Sequence, residues 1–214
     1  MLQLHYHPSN ASFTPHVLLR EIGQPFELCR VDRETGAHKT PAYLKLNPNG
    51  TIPVLVDGPL VLYETAAIAM HLADAHPAAG LAPPLGSAER AHYYKWMAWL
   101  TNTLQTRLMH YFYPERLVED AAAADPVRRR AESDVVALLQ QLDDQLAAHG
   151  GAWLLGADYR AVDPFAFMLC RWTRHFGPRK ARDFPHIGPW LQRVLQRPAV
   201  RDSLEAEGAM PPYC

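Results

Sequence analysis

The spacing of apolar residues changes once along this chain, near residue 80, and that change bounds what it can fold into. Before it, short runs with strand-like alternation are interleaved with helix-like segments. Beyond it, only helical spacing is found. Neither a single helical bundle nor a single β-sandwich can be built from such a pattern, which calls for a mixed α/β unit joined to an all-helical one.

In the first part, Leu2 to Tyr6 reads as a strand and Pro15 to Ile22 as a helix, with proline near the first turn where a missing amide is tolerated. Gly23-Gln24-Pro25 ends that helix, and Phe26 to Val31 alternates as a second strand. Thr40 to Leu46 is a short helix candidate, followed by the turn-dense Asn47-Pro48-Asn49-Gly50. Pro53 to Val56 and Leu60 to Tyr63, joined by Asp57-Gly58-Pro59, form a hairpin, and Thr65 to His76 carries Ile68 and Leu72 on one helical face. The expected order is βαβαββα over residues 1–77. His76 to Gly86, with Pro77, Pro83 and Pro84, reads as a linker.

From residue 87 to 214 the expectation is all-helical. Ser87 opens an aromatic-rich helix reaching about Tyr113, and Asp125-Pro126 opens one whose stripe of Val135, Leu138, Leu139, Leu142 and Leu146 is closed by Gly150-Gly151. Asp163-Pro164 opens another to about Phe176, Ile187 to Leu195 marks a fourth that Pro198 stops, and a short last helix ends at Gly208.

Composition removes whole classes of function. A chain of 214 residues buries roughly 70% of its extended surface on folding, enough for a core without staples. Lys and Arg number 21 against 22 Asp and Glu, a formal net charge of -1, so a nucleic-acid partner is not expected. The three cysteines, Cys29, Cys170 and Cys214, fit neither a disulfide framework nor a zinc finger. With no leader and no apolar run of membrane-spanning length, a cytoplasmic protein without membrane contact is expected. His5 with His7, and His71 with His76, have no carboxylate or third ligand nearby in sequence, so no metal is expected.

Chemistry concentrates in residues 36–74. Thr51-Ile52-Pro53 stands where a turn meets a strand, so the proline enters at the first strand residue or through a cis bond. The cis form leaves the Ile52 amide and carbonyl facing outward for an extended peptide ligand. Glu64-Thr65 ends a strand and starts a helix, setting a carboxylate beside free amides at a positive helix end. Together they suit an amino-acid zwitterion: Glu64 takes the ammonium, while Thr65 and the amides take the carboxylate. His38 and Lys39 would neutralise a second carboxylate farther away. A ligand with a zwitterion at one end, a cysteinyl backbone in the middle and a carboxylate at the other is glutathione.

These residues resemble the glutathione transferase superfamily, and the resemblance covers essentially the whole chain. The spacing of His38-Lys39, Asn47-Pro48, Thr51-Ile52-Pro53-Val54-Leu55 and Leu62-Tyr63-Glu64-Thr65 is similar to the phi, theta and beta branches, and Tyr6 to Glu21 is most like beta. The resemblance implies a thioredoxin-like N-terminal domain, an all-helical C-terminal domain lining an electrophile site, a homodimer, and a detoxifying transfer of glutathione thiolate to hydrophobic electrophiles. It implies Ser or Cys at position 11, where this chain has Ala11. Ser12 is then the first candidate to donate a hydrogen bond to the thiolate, followed by Ser9 and Asn10, with Tyr6 and Thr14 in the same segment; the competing reading has Ser12 or Thr14 merely capping the helix. Without a cysteine there, thiol exchange is disfavoured, and Cys29 and Cys170 read as core. Trp96, Trp99, Tyr111, Phe112 and Tyr113 are either a wall for planar substrates, with Thr103 and Tyr111 as contacts, or packing. Ala11 also motivates an alternative: a glutathione-binding or scaffold protein of this fold with little transferase activity.

Overall fold

A computed structural model describes residues 1–177 and 179–214. It divides into two compact units, Met1–Ala82 with Leu195–Met210, and Pro83–Val194 with Pro211–Cys214.

The first unit is built on a four-stranded mixed sheet. Strands β1 (Leu2–Tyr6), β2 (Phe26–Arg30), β3 (Val54–Asp57) and β4 (Leu60–Tyr63) lie in the order β2-β1-β3-β4. β1 runs parallel to β2 and antiparallel to β3, and the Gly58-Pro59 turn folds β4 back on β3. Leu4, Val54 and Leu55 are fully buried in the sheet centre. Helices α1 (Phe13–Ile22) and α3 (Thr65–Ala75) pack on each other and supply Phe13, Val17, Leu18, Ile68 and Leu72 to the core. A short α2 (Pro41–Leu44) starts at Thr40, whose hydroxyl accepts from the Tyr43 N–H. This is the expected βαβαββα order and a thioredoxin-like fold.

Strand register gathers three chain segments at one sheet end. His5 pairs with Val54, and Val54 pairs with Tyr63. The loop leaving β1, the Thr51-Ile52-Pro53 entry to β3 and the exit of β4 at Glu64 therefore lie together.

The division differs from the 1–77 and 87–214 boundaries read from sequence in one respect. Helix α9 (Pro198–Ala206) belongs to the first unit and packs on α1. Arg197 grips Glu21 with two bonds of 2.6 and 2.7 Å, and Glu207, just past α9, reaches His16. Pairings this distant along the chain leave no mark in local periodicity.

The second unit is all-helical: α4 (Ala88–Trp99), α5 (Thr106–Phe112), α6 (Ala124–His149), α7 (Val162–Trp172) and α8 (Ile187–Leu195). Ser87 caps α4 as expected, its hydroxyl accepting from Arg90 N–H at 3.1 Å. The single helix expected to Tyr113 is instead widened into a π-helical stretch over Leu100–Gln105. There Thr101 and Thr106 turn their hydroxyls onto backbone carbonyls one turn back, of Met97 and Thr101. Asp125 sits inside the first turn of α6 rather than at its cap; Asp120 caps the preceding short turn through Ala122 N–H. On α6, Val135, Leu139, Leu142 and Leu146 are buried as the stripe predicts.

Two buried carboxylates organise this unit. Asp163 lies in the first turn of α7 and accepts from Leu154 N–H, Arg160 N–H and the Trp190 indole, at 2.9, 2.9 and 3.0 Å. Its work is to hold the incoming chain through the backbone amides of Leu154 and Arg160. Asp143 on α6 accepts from His186 and Ile187 N–H, both at 2.8 Å, and so caps α8 across the unit.

Candidate functional site

The turn before β3 is held from below by buried side chains. Asn47 is 1% exposed; its amide donates to the Thr51 carbonyl at 2.8 Å and to the Thr51 hydroxyl at 3.0 Å. The Tyr43 hydroxyl donates to the same carbonyl at 2.8 Å, and burial pushes that phenol up to about 12. Asn47 Oδ1 accepts from Asn49 N–H, and Gly50 takes a positive φ of 58° to complete the turn. A side chain at Gly50 would run into Lys39 Nζ and the His38 carbonyl, so the close approach requires glycine.

This scaffold presents Ile52. The Ile52-Pro53 bond is cis, and among the described residues no hydrogen bond takes the Ile52 N–H or carbonyl. Residues in extended backbone with an unused donor and acceptor can add a peptide in strand fashion.

Glu64 follows β4 with φ 75° and ψ 117°, a region that a residue with a Cβ rarely enters. It precedes α3 as its cap residue, yet its carboxylate makes no capping hydrogen bond and its side chain is exposed. The first-turn amides of α3 and an uncommitted acid thus stand side by side. Thr65, buried beneath them, donates its hydroxyl to the Ala11 carbonyl at 3.2 Å. That bond ties the start of α3 to the loop that leaves β1.

The β1–α1 loop answers which hydroxyl is available. Ser12, the first candidate on sequence grounds, has its Oγ committed: it donates to the His7 carbonyl at 3.1 Å and accepts from the His7 N–H at 3.2 Å, and the residue is fully buried. A serine hydroxyl has one proton, so none is left for a thiolate. Neither does Ser12 cap α1 with its side chain. Ser9 has a positive φ of 59°, and its N–H donates to Glu207 at 2.8 Å. Asn10 accepts from Ala11 N–H through Oδ1 at 2.7 Å, and among the described residues nothing takes its amide hydrogens. Ala11 is buried and brings only its carbonyl and N–H to the network.

His38 and Lys39 lie on the turn Ala37–Lys39 beyond β2. Burial, followed by the charges of Lys39, Arg33 and His7, holds the His38 imidazole below its usual range. At neutral pH it serves as a hydrogen-bonding group, held uncharged more firmly than an ordinary imidazole. Its Nδ1 is buried and without a partner. Lys39 lies beside the turn before β3, its Nζ donating to the Asn49 carbonyl at 3.3 Å. Arg33, which periodicity and motif spacing did not single out, adds a second positive charge close to His38.

In the second unit, Thr103 lies half-buried on the π-helical stretch. Tyr111 packs its ring against Phe176 and Phe112, at 4.3 and 5.2 Å between centroids, and burial raises its phenol. Trp96 is buried, edge-on to Trp99 at 5.0 Å, which makes it packing rather than wall. The cysteines carry no activated thiol: burial raises Cys29, Cys170 and Cys214 alike. Cys170 is core, whereas Cys29 is half-exposed on β2. Among the described residues no cluster of three or more His, Cys, Asp or Glu is arranged to hold a metal ion.

Residues 2–74 match the family described as Glutathione S-transferase, N-terminal domain, and residues 101–198 match Glutathione S-transferase, C-terminal domain. Glutathione S-transferase GST-4.5 of Xanthomonas campestris is 30% identical over 97% of this chain and 99% of its own length. Among solved structures, a glutathione transferase homologue from Sulfitobacter with bound glutathione superposes with a TM-score of 0.89 at 25% identity, covering 98% of this chain and 99% of its own. A sphingomonad glutathione S-transferase complexed with glutathione reaches 0.84 at 31% identity, covering 97% of this chain and 100% of its own. With both halves matched, the full length aligned and the fold shared, the chain belongs to the glutathione S-transferase family of enzymes.

Proposed function

We propose that this enzyme binds glutathione at the sheet end defined by Ile52, Glu64 and Thr65 and transfers its thiolate to hydrophobic electrophiles. The observation that carries the reading is Glu64: an acid held in a rare backbone conformation, kept off the helix it precedes, beside unoccupied first-turn amides. The glutamyl ammonium meets the Glu64 carboxylate, and its α-carboxylate meets the amides of α3. The cysteinyl backbone pairs with the Ile52 N–H and carbonyl, and Thr51 and Pro53 shape that edge. The glycyl carboxylate is drawn by Lys39, with His38 as a neutral hydrogen-bond donor. The relatives solved with glutathione support the choice of ligand.

A free thiol has a pKa of about 8.5, so only a few per cent is thiolate at neutral pH. A donor aimed at sulfur lowers that value by favouring the anion. With the Ser12 proton committed to the His7 carbonyl, the proposed donor is Asn10, with Ser9 beside it. The thiolate then attacks the electrophile. With a chloronitrobenzene, the sulfur–carbon bond forms as the ring accepts the electron pair, chloride leaves, and the thiol proton goes to solvent. Thr103 and Tyr111 remain the proposed contacts for the electrophile. Absence of any activated protein thiol supports conjugation over thiol exchange.

We further propose a cytoplasmic homodimer; no helix among the described residues is long and apolar enough to cross a membrane. Calorimetric titration with glutathione and turnover of a chloronitrobenzene test the reading together. Saturable binding with turnover is expected, binding without turnover would leave a scaffold of this fold, and absence of binding would refute the site.

A further inference from the structure

Glu207 sits just past helix α9, its side chain fully buried, and its two oxygens serve different partners. Oε2 accepts from the Ser9 N–H at 2.8 Å, and Oε1 accepts from His16 Nδ1 at 3.0 Å. His16, also fully buried, accepts at Nε2 from Arg20 Nε–H at 3.1 Å. The Arg20 bond fixes the imidazole's tautomer: Nε2 is the acceptor, so Nδ1 carries the hydrogen that goes to Glu207. All of these groups lie in the first unit.

The other end of this chain of bonds is the β1–α1 loop. Ser9 is held at φ 59°, where a residue with a Cβ is disfavoured, and that conformation turns its N–H onto Glu207. Asn10 is the next residue. Two donors, one from the backbone and one from an imidazole, converge on one side chain. A carboxylate can serve both, whereas an amide offers a single oxygen and would turn its own N–H toward the other donor. His16 cannot relieve that conflict by exchanging tautomers, because Arg20 already occupies Nε2.

We infer that Glu207 is a positioning residue for the thiol chemistry: it acts through the Ser9 N–H to hold the loop that carries Asn10, and so sets how well glutathione sulfur is stabilised as the anion. This inference rests on the function proposed above. Glu207 touches no substrate in this scheme, and the anchors for the glutathione ends, Ile52, Glu64, Thr65 and Lys39, are on other segments. Binding and ionisation should therefore separate when Glu207 is changed.

The test is Glu207→Gln in the full-length chain, with glutathione as the probe. Two readouts are taken: affinity by calorimetry, and the pH dependence of thiolate absorbance in the ultraviolet for bound glutathione. We expect a pKa displaced upward by about one, and so a thiolate-to-thiol ratio roughly tenfold lower at a given pH, with affinity changed less than threefold. A merely structural role would lower the melting temperature while leaving the ionisation curve of the folded fraction where it was, and that result overturns the inference. If Glu207→Gln does not fold, His16→Leu replaces it: it removes one of the two donors steadying the carboxylate while conserving volume, and it must displace the same curve upward. His16→Asn, whose amide N–H stands near the position of Nδ1–H, should restore the wild-type curve, and equal curves for Leu and Asn overturn the inference as well. Failure of the wild-type protein to bind glutathione would instead refute the functional reading, so the two failures are told apart.

Discussion

Glu64 is asked to do two things at once, and substitution can separate them. Its backbone, at φ 75° and ψ 117°, lies where a non-glycine residue costs about 1–3 kcal/mol. Glycine there removes the clash but adds about 0.4–1 kcal/mol of unfolded-chain entropy relative to alanine. Glu64→Gly should thus be more stable than Glu64→Ala by about 0.5–2 kcal/mol, which for a chain of this size corresponds to a melting temperature higher by roughly 1–8 °C. Both variants lose the same carboxylate. A charge-assisted hydrogen bond to the ligand ammonium is worth about 1.5–3 kcal/mol, so each should bind glutathione roughly 10–150-fold more weakly. The assay is thermal unfolding of the ligand-free proteins together with calorimetric titration. Equal melting temperatures for the two variants would mean that no strain is stored at position 64. Affinity within threefold of wild type would mean that the carboxylate does not meet the ligand, and the reading of an acid kept free for an ammonium would fall.

Ser12→Ala should destabilise the protein by about 1–3 kcal/mol, because the His7 N–H and carbonyl lose their partner, yet leave the ionisation of bound glutathione unchanged. Asn10→Ala should do the reverse, and a thiol pKa raised by Ser12→Ala instead would return the donor role to that hydroxyl. Tyr43 gives a pH signature: its folded phenol stands at about 12 against about 10 when unfolded. The unfolded chain ionises first, so stability is intact below pH about 10 and is lost as the pH climbs toward 12. Urea unfolding at several alkaline pH values should show that slope in wild type and a shallower one in Tyr43→Phe; parallel curves would refute it. Asp163→Ala strands the Leu154 and Arg160 amides and the Trp190 indole, at a cost of about 3–5 kcal/mol. Chemical denaturation measures it, and a loss below 1 kcal/mol would show that water replaces the carboxylate.

Elements set by local spacing were legible in the sequence. The alternation in Leu2–Tyr6 and Leu60–Tyr63, the Asp57-Gly58-Pro59 turn and the Ser87 cap all appear where local chemistry puts them. The π-helical stretch at Leu100–Gln105 was not, since it interrupts a continuous helix without any proline or glycine to mark it. Within the site, residue type and position picked out Ile52, Glu64 and Thr65 because each depends on a turn or a strand end nearby. Ser12 misled because a hydroxyl at a helix start gives no sign of which way it points, and a carbonyl five residues back claimed it. His38 beside Lys39 reads as a pair that neutralises a carboxylate; only the fold brings Arg33 and His7 near enough, and buries the ring enough, to hold the imidazole below its usual range. Glu207 is the extreme case, 198 residues from the amide it serves.

The membership of helix α9 in the first unit has a consequence for how this protein is made and how it can be remodelled. A nascent chain that has emerged through residue 82 contains all four strands but not Arg197 or Glu207, so Glu21 lacks its guanidinium and His16 and the Ser9 amide lack their acceptor. The contacts of the first unit are complete only once translation has run through the helical unit. For the same reason a gene fusion that exchanges halves at the proline-rich segment, and ignores the tail, would graft a foreign end onto the loop where the chemistry is proposed to occur. A chimaera that keeps the first unit of this chain should keep its last helix as well.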